Sequence, residues 1–415
     1  METADLAIIG GGAAGLAAAI FAAETAQAAR RIVVLDGAKS LGAKILVSGG
    51  GRCNVTNQEV LPRDFNGSQP VIRNILASFD AQATVRWFAS LGVELKTEPT
   101  GKLFPVADSA RVVLGALLRR CEELQIALRN GSRVTGISAP GDGESSFTIE
   151  HENGSLGAPR VILCTGGRSL PRSGSDGSGW EIVRRLGHTV TPTYAALAPL
   201  VLAPQFFHAG LAGISQDVEL SVYVAGRRID DRTGSLLWTH FGISGPVVMD
   251  ASRHWIIAAE THQQPIMRCN LLPGENFEMA ERWLIESIAA RPKASALSHL
   301  LARLPQRVAA AASQHAGVDP ATPAGQLPRD ARRALVRGLT ELVLPVVQHR
   351  GWNYAEVTAG GVPLDEIDFR TMQSRKVPGL HLAGEILDCD GRIGGFNFQW
   401  AWSTGHLAGR AAARD

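Results

Sequence analysis

Leu6-Ala-Ile-Ile-Gly10-Gly-Gly12-Ala13-Ala14-Gly15-Leu-Ala-Ala-Ala-Ile20 is the stretch on which the reading of the whole chain turns. A short isoleucine-rich run stops at three glycines, and an alanine- and leucine-rich helical pattern follows at once. Next comes Ile32-Val-Val-Leu35, closed by the acid Asp36. Strand, glycine turn, helix, strand and acid in this order make a dinucleotide-binding βαβ unit. Gly10 allows the tight turn out of the strand, Gly12 lets a pyrophosphate approach the backbone, and Gly15 lets helix and strand pack closely. The free N–H groups and positive end of the helix suit a diphosphate. Asp36 stands 21 residues after Gly15, where it can accept a hydrogen bond from an adenosine ribose hydroxyl. An acid there favours FAD or NAD over NADP, whose 2′-phosphate it repels.

The 415 residues exceed one simple core, so two or three domains are expected. Hydrophobic content of 45% and charged content of 19% are those of an ordinary globular protein. A net charge of +2 gives no basis for nucleic-acid or anionic-membrane attraction. Five scattered cysteines contain no C-x-x-C, so neither a zinc site nor a dithiol pair is written locally, and a reducing cytoplasm is the expected compartment. The apolar N-terminus lacks the basic region of a secretory signal, and its glycines fit a nucleotide turn better. No run reaches the roughly 18 apolar residues of a membrane span.

Beyond Asp36 lies Lys44-Ile-Leu-Val-Ser48-Gly49-Gly50-Gly51-Arg52-Cys53-Asn54-Val-Thr56-Asn57. Backbone N–H groups of such a glycine loop form an anion-binding nest, and its Asn and Thr side chains can read a ring or a ribityl chain. Residues 70–98 read as helices, 102–106 as extended, and 109–124 as an amphipathic helix. Short strands follow at 133–137 and 146–149, then Arg160-Val-Ile-Leu-Cys-Thr165-Gly166-Gly167, whose Thr-Gly-Gly end permits a second close approach to a nucleotide. Gly174-Ser-Asp-Gly177-Ser-Gly179 imitates a nucleotide turn, but no strand leads into it, and it reads as a loop capping a helix over 180–186. No second G-x-G-x-x-G exists for a dedicated NAD(P)H domain. From about Thr193 the pattern becomes strand-like (200–202, 218–224, 264–271), then helical between about Glu275 and Gln348, and it returns to strands at 354–358 and 380–383. An insert between two parts of one Rossmann domain is the economical arrangement.

The last strand runs into Gly384-Glu385, again glycine and acid, where a carboxylate can bind a sugar or ribityl hydroxyl. Gly394-Gly395-Phe396-Asn397-Phe398 then opens a helix whose bare N–H groups would favour negative charge on a reduced flavin.

Together, the first glycine turn, Ser48–Asn57, Thr239-His-Phe-Gly-Ile-Ser-Gly-Pro246, Thr358-Ala-Gly-Gly-Val362 and Gly384–Gln399 resemble the bacterial three-domain FAD-dependent oxidoreductases of the glutathione-reductase-like superfamily, a family that includes aminoacetone oxidase and a bile-acid-pathway reductase. The resemblance implies an α/β fold: a discontinuous Rossmann-type FAD-binding domain (1–192 and 356–415) with an inserted β-barrel-like domain (193–273) and a small helical domain (274–355). It further implies that Gly10, Gly12, Ala13, Ala14, Gly15, Asp36, Lys44, Ser48, Gly49, Gly51, Arg52, Cys53, Asn54, Val134, Thr165, Gly166, Gly384, Glu385, Gly395, Phe396, Asn397 and Phe398 touch a non-covalent FAD. No metal is expected.

A small-molecule substrate is expected over the flavin, with Thr239, His240 and Ser244 as wall residues. His240 suits an acid or base role, with a hydrogen-bonded structural histidine as the alternative. Cys53 suits a redox thiol or simple packing. Three activities stay open: an oxidoreductase taking hydride from transient NAD(P)H or passing electrons to oxygen, a flavoenzyme modifying tRNA, and a flavin-binding protein without turnover.

Overall fold

A computed structural model describes residues 2–141 and 143–414. The chain divides into two compact units, one formed by the described residues up to Tyr194 and from Glu356 onward, the other by Ala195–Ala355.

The first unit is built on a parallel sheet. Strand β1 (Leu6–Ile9) leads through the glycine turn into helix α1 (Ala13–Thr25), which returns to β2 (Ile32–Leu35). Strands β3 (Ala127–Arg129), β4 (Val161–Leu163) and β5 (Leu380–Leu382) continue it in the order β5-β4-β1-β2-β3, and two short antiparallel strands, Gln373–Ser374 and Ile367–Asp368, extend the sheet beyond β5. Ala7 of β1 lies opposite Val33 on one side and Val161 on the other. β1, β2, β4 and β5 are buried throughout, which is why β1, β2 and β4 read as unbroken apolar runs and not as alternations. A separate antiparallel layer (Val134–Ser138, Phe147–His151, Gly154–Ala158) follows β3 in the chain.

The C-terminal helix α2 (Phe396–Ala412) packs on α1 at unusually close range. A Cβ on Gly405 would come 2.7 Å from the Ala14 carbonyl oxygen, and one on Gly409 2.3 Å from that of Ala18. Small residues on both helices are therefore required, and they bring the N-terminal turn and the last helix of the chain into one core. Trp400 and Trp402 of α2 are buried, and their indole N–H groups donate to the Gly384 and Val55 carbonyls (3.2 and 2.9 Å).

The second unit carries a seven-stranded antiparallel sheet in the order Leu342–Leu344, Ile266–Asn270, Ser215–Val224, Arg227–Thr239, Gly242–Ser244, Leu200–Leu202, Val346–His349. Its two edge strands are separated in the chain by Pro345 alone, so the edges must curl round to meet, which gives the barrel-like form. The apolar pattern up to Gln348 reads as helix, yet after the helix Arg329–Thr340 the chain turns to strand. Pro345 cannot sit in a continuing helix, and Leu342–Leu344 finds its partner in Ile266–Asn270. Two further differences arise locally. Pro246 starts a 15-residue helix, Pro246–Glu260, inside the stretch read as strands. Residues 70–98 form two helices, Gln69–Ser78 and Ala81–Ser90, followed by the strand Leu95–Thr97.

Candidate functional site

The glycine turn after β1 shows a distinct steric reason for each of its three spaced glycines. Gly10 has φ +106°, and a Cβ there would lie 2.3 Å from the Cys164 carbonyl oxygen at the end of β4. A Cβ on Gly15 would lie 1.8 Å from the Gly10 carbonyl oxygen, so α1 crosses the turn at backbone contact. Gly12 is the opposite case: nothing lies within 4 Å of its Cβ position, and its backbone (φ −86°, ψ −165°) is open to any residue. Ala13 and Ala14 form the first turn of α1, which has no side-chain cap. Asp36 accepts from the Gly11 N–H (2.6 Å) and the Ala38 N–H (2.7 Å), one on each oxygen. A carboxylate has about four acceptor sites, so capacity for ribose hydroxyls remains. Val134 is buried in the strand that follows the turn whose Gly131 and Ser132 N–H groups donate to Ala38 and Asp36.

The ends of β4 and β5 bring a second group together. Lys44 donates to Glu385 Oε2 (2.5 Å) and to Ser169 Oγ (2.6 Å), and Ser169 Oγ donates to Glu385 Oε1 (2.9 Å). The Thr358 N–H donates to the same Glu385 oxygen (2.9 Å), while Thr358 Oγ1 accepts from the Arg168 and Ser169 N–H groups (2.8 and 3.2 Å). Gly384 abuts Ala14 so closely that a Cβ would come within 2.8 Å of the Ala14 Cβ. Lys44, Glu385, Gly384 and the start of α1 thus meet at the carboxyl ends of the strands, where ligands of open α/β sheets bind. Ser169 and Thr358 are members that sequence reading assigned no role. Thr358 carried a signal in its Thr-Ala-Gly-Gly run, whereas Ser169 carried none.

Ser48–Gly51 forms a single tight turn in which Gly49, Gly50 and Gly51 all have positive φ (55°, 69° and 85°), a run that only glycines take without strain. Gly50 faces open space. Arg52 is turned to the Glu98 carboxylate (2.6 Å) and stacked over the Phe104 ring, 4.0 Å from its centroid, so it anchors the loop. Asn54 is buried, and its Oδ1 has no hydrogen-bond partner among the described residues. Thr165 Oγ1, at the Thr165-Gly166 end of β4, is in the same condition. At the head of α2, Gly395 fits against the Thr56 backbone and Asn57 donates to the Gly394 carbonyl (3.0 Å). Asn397 is spent on the Gly391 backbone, accepting from its N–H (2.8 Å) and donating to its carbonyl (2.9 Å). Phe396 packs edge-on to Phe65, and Phe398 stacks on Trp402.

Cys53 is fully buried, and that burial pushes its thiol up to about 12 against a smaller opposing hydrogen bond with Ser48. Such a thiol stays protonated and inert. Thr239, His240 and Ser244 belong to the second unit. His240 is exposed beside Phe241, Thr239 Oγ1 accepts from the Gly242 N–H (3.1 Å), and Ser244 closes the short strand Gly242–Ser244. No group of metal-ligating side chains occurs among the described residues, and none of the helices searched is long and apolar enough to cross a membrane.

The HI0933-like protein Rossmann domain matches residues 4–411. The chain belongs to the HI0933-like Rossmann family. Among relatives that match nearly end to end, a 3-dehydro-bile acid delta(4,6)-reductase of Clostridium scindens is 33% identical over 409 residues, covering 98% of each chain. A ribosomal RNA dihydrouridine synthase of Escherichia coli K12 is 35% identical over 409 residues, covering 97% of this chain and 96% of the relative. A solved 3-ketosteroid delta1-dehydrogenase of Sterolibacterium denitrificans superposes over the whole of both chains with a TM-score of 0.54 at 12% identity, which speaks to the fold alone. This HI0933-like chain is an FAD-dependent oxidoreductase. Its residues are of a kind that would fit the cofactor: an open Gly12, an acid with spare acceptor sites, a left-handed glycine turn, and Asn54 and Thr165 oxygens without partners among the described residues.

Proposed function

We propose that the enzyme is a reductase which adds hydride to a carbon–carbon double bond conjugated with a carbonyl group, with NADH or NADPH as transient hydride donor. The observation that carries this reading is the end-to-end match, at 33% and 35% identity, to two proteins whose names describe one chemical outcome. A 3-dehydro-bile acid with Δ4 and Δ6 unsaturation presents double bonds conjugated to its 3-oxo group. Uridine presents a ring double bond conjugated to a carbonyl, and dihydrouridine is its saturated form. The absence of a second G-x-G-x-x-G turn in the sequence supports a nicotinamide that visits and leaves without a domain of its own.

In this reading Gly10–Gly15 and Asp36 would hold the adenosine diphosphate half of FAD, and the Ser48–Asn54 turn and the head of α2 would hold the flavin ring. Bound FAD supplies the hydride chemistry; the protein supplies orientation and electrostatics. α2 is 17 residues long, and its uncapped N-terminus favours negative charge at Gly395–Phe398. The Lys44–Glu385–Ser169 group would offer a cation and carboxylate oxygens to the polar parts of the cofactor. Saturation also needs a proton. Of the two sequence candidates His240 is exposed, whereas Cys53 is fully buried.

Anaerobic addition of NADH or NADPH to the yellow protein tests this. Bleaching by nicotinamide, then recovery on adding an unsaturated 3-oxo steroid or a uridine-containing ribosomal RNA, supports the reading and tells which acceptor is used. Bleaching only by an amine, with peroxide released in air, contradicts it.

A further inference from the structure

Arg350 follows the edge strand Val346–His349 of the second unit, and Phe241 precedes the short strand Gly242–Ser244. Leu200–Leu202 runs between those two strands and pairs with both. The Phe241 carbonyl accepts from the Leu202 N–H (3.1 Å), and the Arg350 N–H donates to the Pro199 carbonyl (3.0 Å). Backbone bonds to one segment therefore fix both residues, and their side chains meet: the Arg350 guanidinium carbon lies 4.3 Å from the Phe241 ring centroid. A turn closed by the Tyr354 N–H on the Gly351 carbonyl (3.1 Å) then brings a second ring to the same cation. The Tyr354 centroid is 3.7 Å from the guanidinium carbon.

Other arginines of this unit are matched to carboxylates, as Arg228 is to Asp231, Arg232 to Asp230 and Arg303 to Glu275. Arg350 is not. Among the described residues no carboxylate pairs with it and its guanidinium makes no hydrogen bond. Ring faces favour the charge, but they accept none of its five N–H groups in an ordinary hydrogen bond. Contact with two rings also restricts the side chain, so its planar fork is pre-organised. Two further polar groups stand beside it. His240 is exposed and edge-on to Phe241 (5.1 Å between ring centroids), and Tyr354 is 47% exposed. Neither side chain has a hydrogen-bond partner among the described residues, whereas the adjoining His349 is paired with Glu260 (3.1 Å). A fixed and unmatched guanidinium selects a carboxylate or phosphate, whose two oxygens take parallel N–H bonds from the fork.

We propose that Arg350, held against Phe241 and Tyr354, binds an oxyanion, and that the acceptor of the reductase carries it. This rests on the reductase reading above and narrows it: the acceptor bears a carboxylate or phosphate in addition to its conjugated double bond. Arg350 acts in binding and takes no part in hydride transfer.

The test uses the full flavin-loaded chain and two pairs of compounds. One pair is an unsaturated 3-oxo steroid with a side-chain carboxylate and its methyl ester. The other is a short uridine oligoribonucleotide and its counterpart with uncharged methylphosphonate linkages. Calorimetry should show the charged member of one pair binding about ten- to a hundredfold more tightly than its neutral partner, and the pair that responds tells carboxylate from phosphate. Arg350→Met should bring that ratio close to one, while Arg350→Lys, which keeps the charge without the fork, should retain part of it. Equal binding of charged and neutral members in both pairs overturns the proposal without any variant. So does a full preference that persists in a flavin-loaded Arg350→Met or, should that variant not fold, Arg350→Gln. Failure of every one of these compounds to reoxidise a nicotinamide-reduced flavin fells the reductase reading itself; reoxidation without a preference for charge fells the Arg350 assignment alone.

Discussion

Gly12 and Gly15 sit three residues apart in one motif, yet their substitution should fail in opposite ways. At Gly12 the backbone is ordinary and nothing lies within 4 Å of the Cβ position. Gly12→Glu should therefore leave the flavin-free protein folded, with a change in stability within about 1 kcal/mol. Its carboxylate would instead meet the diphosphate. Two unit charges ~5 Å apart at an effective dielectric of ~20 repel by on the order of 3 kcal/mol, and a diphosphate carries about two, so affinity should fall by roughly four orders of magnitude. At Gly15 a methyl group would lie 1.8 Å from the Gly10 carbonyl oxygen and 3.4 Å from the Cys164 Cβ. Neither the turn nor β4 can retreat cheaply, so Gly15→Ala should destabilise even the flavin-free fold by about 3 kcal/mol or more. Thermal unfolding of the flavin-free proteins, followed by FAD titration, separates the two outcomes. Stoichiometric FAD in Gly12→Glu, or equal destabilisation by both variants, would refute the assignment of roles.

Other expectations follow from the same geometry. Thr358→Val removes the acceptor for the Arg168 and Ser169 N–H groups at a residue 1% exposed; unfolding should reveal a loss of about 1–3 kcal/mol, with Thr358→Ser restoring most of it. The five free cysteines are all buried, so an exposed-thiol reagent should titrate no fast-reacting group in the native protein and five after denaturation; a single fast-reacting Cys53 would revive its redox role. Stability should decline on acidification in two stages. His381 and His406 are buried, at 2% and 8% exposure, and burial lowers both from 6.5 to about 4. Because the unfolded chain takes up the protons first, stability present above pH 6.5 is lost between there and about pH 4, by up to about 3 kcal/mol for each. Glu366 is held down to about 2, against its burial, by hydrogen bonds from Lys376, Thr189 and His188. It adds a further loss as pH falls from 4.5 toward 2. Urea unfolding at a series of pH values measures both stages.

What the sequence reveals and what it hides divide on physical lines. The βαβ turn is legible because its strand, glycines, helix and acid all lie within the one short stretch from Leu6 to Asp36, and the unbroken apolar runs of β1 and β2 announce burial on both faces. FAD rather than NAD needed the distant Ser48–Asn54 and Gly394–Phe398 stretches, read together by resemblance. The Lys44–Glu385 pair joins residues 341 apart, and no spacing rule connects them. Thr358 and Ser169 become part of the site only because Glu385 needs donors, a requirement visible once the strand ends converge. Leu342–Leu344 and Val346–His349 suit helix or strand equally by composition, and the partner strands decided the matter. The unpartnered Asn54 and Thr165 oxygens are invisible in sequence, since lack of a partner is a property of packing.

The most direct measurement is the anaerobic absorbance of the flavin-loaded enzyme, first with NADH or NADPH and then with an acceptor bearing a carbonyl-conjugated double bond. The account predicts that the yellow colour is lost on adding nicotinamide and returns with the acceptor, one saturated product forming per flavin. A flavin that neither nicotinamide reduces, or a reduced flavin that oxygen reoxidises but no conjugated alkene does, would contradict it.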